Sequence, residues 1–229
     1  MLFRQLFDNE SSTYTYLIAE DYGKEAVIID PVKKNLGQYV TLIEQFGLTL
    51  VAAIDTHLHA DHITALGELK KRFNCQSVMG EQSAARCVSL RLADNDSLEF
   101  DGLTLKAMYT PGHTNDSYCL WMNDRVFTGD TLFIRGTGRT DFQGGSPSQQ
   151  YDSLFHRLLC LPESTLVYPG HDYNGMTVST IGEELKFNQR LQVKSRDEYI
   201  FLMNNLNLPL PKMMKVAVPA NQNCGLEVT

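Results

Sequence analysis

Short apolar runs alternate along the chain with stretches whose apolar positions recur every three or four residues, the pattern of strands interleaved with amphipathic helices. Residues 15–19 and 26–29 are apolar runs separated by the turn signal Asp21-Tyr22-Gly23, which predicts a hairpin. Asp30-Pro31 then opens a helical stretch with Leu36, Tyr39, Val40, Ile43 and Phe46 on one face, closed by Gly47. Residues 50–54 are almost continuously apolar, as in a strand covered on both faces. Ile63, Leu66, Leu69 and Phe73 mark the next helix. Residues 97–110 and 118–128 read as further strands, the second with a turn at Asn123-Asp124. Ser146-Pro147 with Gln149 predicts a helix start, with Tyr151, Leu154, Phe155, Leu158 and Leu159 facing inward, and Ser195 with Glu198 opens a late helix. These elements predict an α/β or α+β chain with a layered core, and no repeat or linker divides it.

The informative feature is how the strands end. Residues 50–55 run into Thr56-His57-Leu58-His59-Ala60-Asp61-His62, and residues 103–109 into Thr110-Pro111-Gly112-His113. Residues 125–127 run into Thr128-Gly129-Asp130, and 166–168 into Pro169-Gly170-His171. A glycine before three of these groups lets the chain turn sharply off the strand. Ligand crevices in open sheets lie beyond strand ends, where such segments converge. Five of the six histidines fall in these motifs, and only His156 lies elsewhere, as an expected surface or half-buried residue. His57 and His59 are spaced to reach one side of an extended segment, while Asp61 and His62 are expected on the first turn of the following helix. Imidazoles and carboxylates without cysteine argue against a closed structural zinc site and suit an open site for zinc, iron or manganese.

Composition narrows the setting without adding chemistry. The 229 residues carry 20 basic and 27 acidic side chains, a net charge of −7, and 43% of them are hydrophobic. That excludes disorder and disfavours electrostatic binding of nucleic acid. No apolar run is long enough to span a membrane, and the first residues match neither a signal nor a transit peptide. The five cysteines (Cys75, Cys87, Cys119, Cys160, Cys224) are odd in number with no CxxC pair, so they are expected to be reduced thiols in a reducing compartment. Cytoplasm is favoured, with a processed mitochondrial matrix protein also compatible.

The signature THLHADH, followed by PGHT, TGD and PGH in that order, resembles the metallo-β-lactamase superfamily along nearly the whole chain. The resemblance implies an α+β fold, an αβ/βα four-layer sandwich with the metal at one edge of two facing sheets. A single domain over residues 1–229 with a short C-terminal extension from about residue 175 is then expected. Within the superfamily, Ile134-Arg135-Gly136-Thr137-Gly138-Arg139-Thr140-Asp141-Phe142-Gln143-Gly144-Gly145-Ser146 resembles the persulfide (sulfur) dioxygenases. So do Tyr168-Pro169-Gly170-His171-Asp172-Tyr173, Asn205-Leu206-Asn207-Leu208-Pro209 and Val218-Pro219-Ala220-Asn221.

That resemblance implies an oxidoreductase of sulfide oxidation, with one Fe(2+) per chain held by His57, His113 and Asp130. His59, Asp61, His62 and His171 then surround these ligands or form a vacant second metal site. The implied reaction converts glutathione persulfide, dioxygen and water to glutathione and sulfite. Arg139 is the candidate for a substrate carboxylate, because a guanidinium binds one through two parallel hydrogen bonds. Tyr173 and Thr137 are further candidates for substrate binding, with Arg135 weaker; Thr137 stands where some relatives have cysteine. No nucleic acid or membrane partner is expected, and a homodimer stays open.

Two other readings compete. A glyoxalase II type hydrolase would use all seven ligand positions for two metals, but residues 172–229 are short for its helical glutathione-binding domain. A non-catalytic metal or persulfide-binding protein would lack a ligand, and none is missing. Cys224 is read as an inert thiol, with reactivity as the alternative.

Overall fold

The computed structural model describes residues 1–209 and 213–226. Of the expected C-terminal extension, residues 210–212 and 227–229 lie outside the described residues. Two six-stranded sheets face each other. The first runs in chain order: β1 (Leu2–Asp8), β2 (Thr13–Ala19), β3 (Glu25–Ile29), β4 (Thr49–Ile54), β5 (Gln76–Gly80) and β6 (Leu90–Leu92). The second comprises β7 (Ser97–Phe100), β8 (Leu103–Tyr109), β9 (Tyr118–Met122), β10 (Arg125–Gly129), β11 (Leu166–Pro169) and β12 (Ser179–Thr180), also side by side in chain order. The predicted hairpin is β2–β3, antiparallel with Tyr16 opposite Ile29. The stretch 97–110 is two strands, because Asp101-Gly102 turns the chain back on itself.

Alternation along the strands divides the apolar residues between layers. Tyr16, Ile18, Val27, Ile29, Ile54, Val78, Phe100, Leu105, Leu120 and Phe127 fill the space between the sheets. Leu17, Ala19, Ala26 and Ile28 point the other way, under α1 (Leu36–Gln45) and α2 (Leu66–Phe73). Cys119, Val126 and Val167 do the same on the second sheet, under α3 (Pro147–Phe155), α4 (Ile181–Phe187) and α5 (Arg196–Asn204). Helix, sheet, sheet, helix is the four-layer sandwich expected. A last helix, α6 (Met214–Asn221), returns to the first sheet's outer face, where Cys224 joins the core with Val218 packed on it. Sequence reading missed this helix because Pro219 lies inside it.

Two local expectations are corrected. Asp30-Pro31 does not open a helix: a 3-10 turn at Lys33–Asn35 precedes α1, and Asp30 sits at φ +50° with its side chain turned inward. Asp61 and His62 precede α2, which begins at Leu66, so they lie on a loop. Among the described residues no helix is long and apolar enough to cross a membrane.

The predicted cap of α3 is present: the Ser146 side chain accepts from Gln149 N. Ser146→Ala is expected to lower stability by about 1 kcal/mol in urea unfolding, with no change in metal content.

Candidate metal centre

At one edge of the sandwich the two sheets are stitched by backbone bonds. Tyr118 N donates to Thr56 O at 2.9 Å and Tyr14 N to Gly170 O at 2.8 Å, while within the second sheet Gly170 N donates to Gly129 O at 2.8 Å. This brings the ends of β4, β8, β10 and β11 to one place. The approach is too close for a side chain at two of the glycines. A Cβ on Gly129, which has φ +46°, would lie 2.5 Å from Thr56 Oγ1, and one on Gly170 would lie 2.7 Å from Asp130 Oδ1.

The structure brings His57, His113 and Asp130 together, with one potential ligand atom from each within 4.8 Å of the others. His113 Nε2 and Asp130 Oδ2 are 3.5 Å apart. Each group is oriented from behind. Thr56 Oγ1 donates to Asp30 Oδ2 at 3.0 Å and therefore accepts from His57 Nδ1 at 3.0 Å, which leaves the His57 Nε2 lone pair free. His113 Nδ1 donates to Arg139 O at 2.7 Å, which likewise frees Nε2. Asp130 Oδ1 accepts from His171 Nδ1 at 2.7 Å, and Oδ2 turns to the other two ligands. Such partners hold metal-binding imidazoles in one tautomer and orientation. Burial, helped by the neighbouring His59 charge, pushes His57 well below the usual imidazole value, so it stays neutral. Burial works against ionisation of Asp130, but the charge and hydrogen bond of His171 outweigh it and hold the carboxyl below the ordinary range.

His59, Asp61 and His62 form a second cluster beside the first. His59 Nδ1 and His62 Nε2 are buried with no hydrogen-bond partner. Orphaned nitrogens of this kind, next to a carboxylate, fit a cation. His59 Nε2 faces Asp30 Oδ1 at 3.1 Å. His171 Nε2 donates to Asp61 Oδ2 at 2.8 Å, so both of its ring nitrogens are committed to carboxylates. With their other ring nitrogens and Asp130 Oδ1 occupied, His57, His113 and Asp130 offer a converging donor set that fits a metal. His156 is exposed on the C-cap of α3, away from the site.

A cavity of about 530 Å³ opens onto His113, Asp130, Asp61 and His171. Phe133, Ile134, Phe142, Leu208, Pro209 and Met214 give it apolar walls, and Thr137, Arg139 and Tyr173 all reach it. Their polar atoms are unequally free. Arg139 pairs with Asp141 through Nε and Nη2 at 2.6 and 2.8 Å and donates from Nη1 to Pro209 O at 2.6 Å. The Thr137 hydroxyl faces the protein, toward Met203 Sδ, Arg190 and Tyr199. Tyr173 is exposed and stacks parallel to the His171 ring, with centroids 6.1 Å apart. Arg135 is paired with Glu183 and Glu184. The expectation of five reduced cysteines is corrected: Cys87 and Cys224 form a disulfide, with Cα atoms 5.9 Å apart, while Cys75, Cys119 and Cys160 are free.

Sequence reading missed Asp30, Thr56 and Arg190. Asp30 carried a usable signal, since it ends an apolar strand as Asp130 does, but the following proline suggested a helix start. Arg190 lines the cavity and donates to Thr137 O and Oγ1, and no carboxylate pairs with it among the described residues. Nothing in its sequence surroundings separates it from a surface arginine.

Three comparisons bear on this geometry. The metallo-beta-lactamase superfamily matches residues 8–86 and 90–171. The mitochondrial persulfide dioxygenases ETHE1 of Mus musculus and Homo sapiens are each 44% identical over 230 residues, covering 99% of this chain and 90% of theirs. The crystal structure of ETHE1 from Myxococcus xanthus superposes with a TM-score of 0.95 at 50% identity, covering 99% of this chain and all of that one.

Removing only the Thr56 hydroxyl should disturb the orientation of His57. Thr56→Val is expected to weaken metal binding about 10–100-fold in chelator competition, with the fold retained.

Proposed function

The chain belongs to the metallo-beta-lactamase superfamily and, within it, to the persulfide dioxygenases, and from that premise we propose that it is an iron(II) enzyme oxidising glutathione persulfide with dioxygen and water to sulfite and glutathione. The observation that carries this reading is an apolar cavity opening directly onto a two-histidine, one-carboxylate cluster. When bound, iron(II) supplies the redox chemistry and the open coordination positions that the two substrates need. The proposed ligands are His57, His113 and Asp130.

The remaining residues divide the work around them. Thr56, the Arg139 carbonyl and His171 hold the three ligands in register, through the bonds described above. Burial pulls the His171 pKa down, but Asp130 and Asp61 outweigh it and keep the ring protonated, so this imidazolium stabilises two carboxylates side by side. It also stands one hydrogen bond from a proposed ligand, where it fixes the orientation of the Asp130 carboxylate. Phe133, Phe142 and Leu208 exclude bulk water from the sulfur to be oxidised.

For the glutathione carboxylates, Arg190 is the stronger candidate and Arg139 the second. The Arg190 guanidinium lacks a counter-charge among the described residues, whereas Arg139 is neutralised by Asp141. Thr137 acts in this reading by holding Arg190, and Tyr173 lies at the cavity mouth. A half-buried charge without a counter-charge gains more from an arriving anion than one already paired. The proposed setting is a reducing compartment, cytoplasm or mitochondrial matrix, where a disulfide is exchangeable.

The unpartnered His59 Nδ1 and His62 Nε2 favour a second reading in which this pocket takes another metal and the protein hydrolyses thioesters. Full-length likeness to persulfide dioxygenases weighs against it. Metal content of anaerobically purified protein, with oxygen uptake and sulfite release, separates the two. About one iron per chain with sulfite formed is expected; two metals, no oxygen uptake and rapid thioester hydrolysis would overturn the proposal. Asp130→Ala should lose iron and activity together, and an iron-replete, active variant would show the ligand set to be wrong. Arg190→Ala should raise KM for glutathione persulfide about tenfold or more with iron retained, and Arg139→Ala should raise it less.

A further inference from the structure

The loop that starts at the proposed ligand His57 and carries the adjoining cluster of His59, Asp61 and His62, here the metal loop, does not stand alone. Leu58 N donates to Asp116 Oδ2 at 3.1 Å, and Gln143 Nε2 donates to Leu58 O at 2.7 Å. The other half of the loop is held by a residue about 160 positions away. Asn221, the last residue of α6, is 2% exposed. Its Nδ2 donates to His59 O at 2.9 Å and to His62 O at 2.8 Å, and its Oδ1 accepts from Thr64 N at 3.0 Å. Both amide protons and one oxygen lone pair are thereby matched to three backbone groups of residues 59–64, a fit that only a primary amide provides.

The segment after Asn221 is tied down on both sides. Gly67 N donates to Cys224 O at 3.0 Å, and Arg86 N to Gln222 O at 2.8 Å. Gly225 lies so close to the metal loop that a Cβ there would come within 2.0 Å of Thr64 O. The Cys87–Cys224 disulfide then fastens this segment to the β5–β6 connection. Cys224 is buried, and Cys87 is the half-buried, more open residue of the pair.

We propose that Asn221 is a positioning residue for the metal loop and that the Cys87–Cys224 disulfide is a redox latch that keeps it in place. A low-molecular-weight thiol such as glutathione opens the latch. Its thiolate attacks Cys87 Sγ and expels Cys224 as a thiolate. A second thiolate resolves the mixed disulfide, so two thiols are oxidised to one disulfide and the protein pair takes up two electrons and two protons. The freed segment samples positions in which Asn221 no longer clamps residues 59–64, and the metal escapes more readily. Because glutathione is also the proposed product, the latch couples metal retention to the thiol–disulfide balance in which the enzyme works.

The inference rests on the metal site proposed above, and its test reads metal retention, not turnover. The full chain is loaded with Co(II), and transfer to excess EDTA is followed by loss of the visible absorption. Oxidised protein should show three free thiols under denaturing conditions, and protein treated with glutathione and desalted under argon should show five. Reduction should speed Co(II) release about fivefold or more, and glutathione disulfide should restore the slow rate. Cys87→Ser should release quickly in both buffers. Asn221→Ala should release about tenfold faster than oxidised wild type, with little further gain on reduction, and shift the Co(II) spectrum. Ser146→Ala, a remote stability control, should leave the rate unchanged. Equal rates from oxidised and reduced wild-type chain, or five thiols that glutathione disulfide fails to pair, would overturn the latch. If Asn221→Ala does not fold, the wild-type redox comparison decides alone. A chain that takes up no Co(II) would sink the site reading together with the latch, whereas Co(II) held at redox-indifferent rates sinks only the latch.

Discussion

A carboxylate taken out of water must be surrounded by donors, and Asp30 meets that demand in a way that organises the rest of the site. It is 1% exposed at the end of β3. Thr56 N and Thr56 Oγ1 donate to it at 2.7 and 3.0 Å, and His59 Nε2 faces it at 3.1 Å. The same bonds decide which nitrogen His57 and His59 turn toward the metal pocket. Behind it, burial raises Asp55 to about 7 against the lowering pull of His59. Without that buried acceptor, Thr56 would be free to donate elsewhere and His57 Nδ1 would lose its acceptor.

Electrostatics at the edge of the sandwich follows one scheme. Carboxylates and imidazoles alternate, so that in the chain Asp130, His171 and Asp61 one imidazolium separates two carboxylates. Alternation lets the protein concentrate anionic oxygens at a metal site without the repulsion that adjacent carboxylates would suffer. The two sheets supply this by converging, since no single strand carries more than part of the set. The cavity wall comes from a third source, the stretch around residues 133–142 with Leu208, Pro209 and Met214, which cover the site with apolar surface, and Arg190 lines the same cavity.

Long-range closure is the other organising principle. α6 comes back across the first sheet to reach residues 59–64, so the end of the chain helps to shape a loop formed in its first third. Asn221 sits in the Val218-Pro219-Ala220-Asn221 motif, which was readable as a family resemblance, but its three backbone partners were not. The cysteine count illustrates the same limit. An odd number with no short spacing argues for free thiols, yet residues 137 positions apart are brought to bonding distance by the fold.

Much was legible from the one-dimensional pattern. Strand-end motifs rich in His and Asp announced a metal-binding edge, because strands that run in the same direction place their C-terminal loops at a common edge. The caps at Ser146 and Ser195 were legible because they are local hydrogen bonds with fixed spacing. What depended on tertiary structure was everything set by contacts between distant segments. It decided which imidazole nitrogen is free, that Asp30 serves the site and does not start a helix, and that Arg139 is neutralised while Arg190 is not. It also decided that Cys87 meets Cys224. Local sequence encodes the chemistry available at each strand end, whereas hydrogen-bond partners, burial and charge pairing are properties of the three-dimensional neighbourhood.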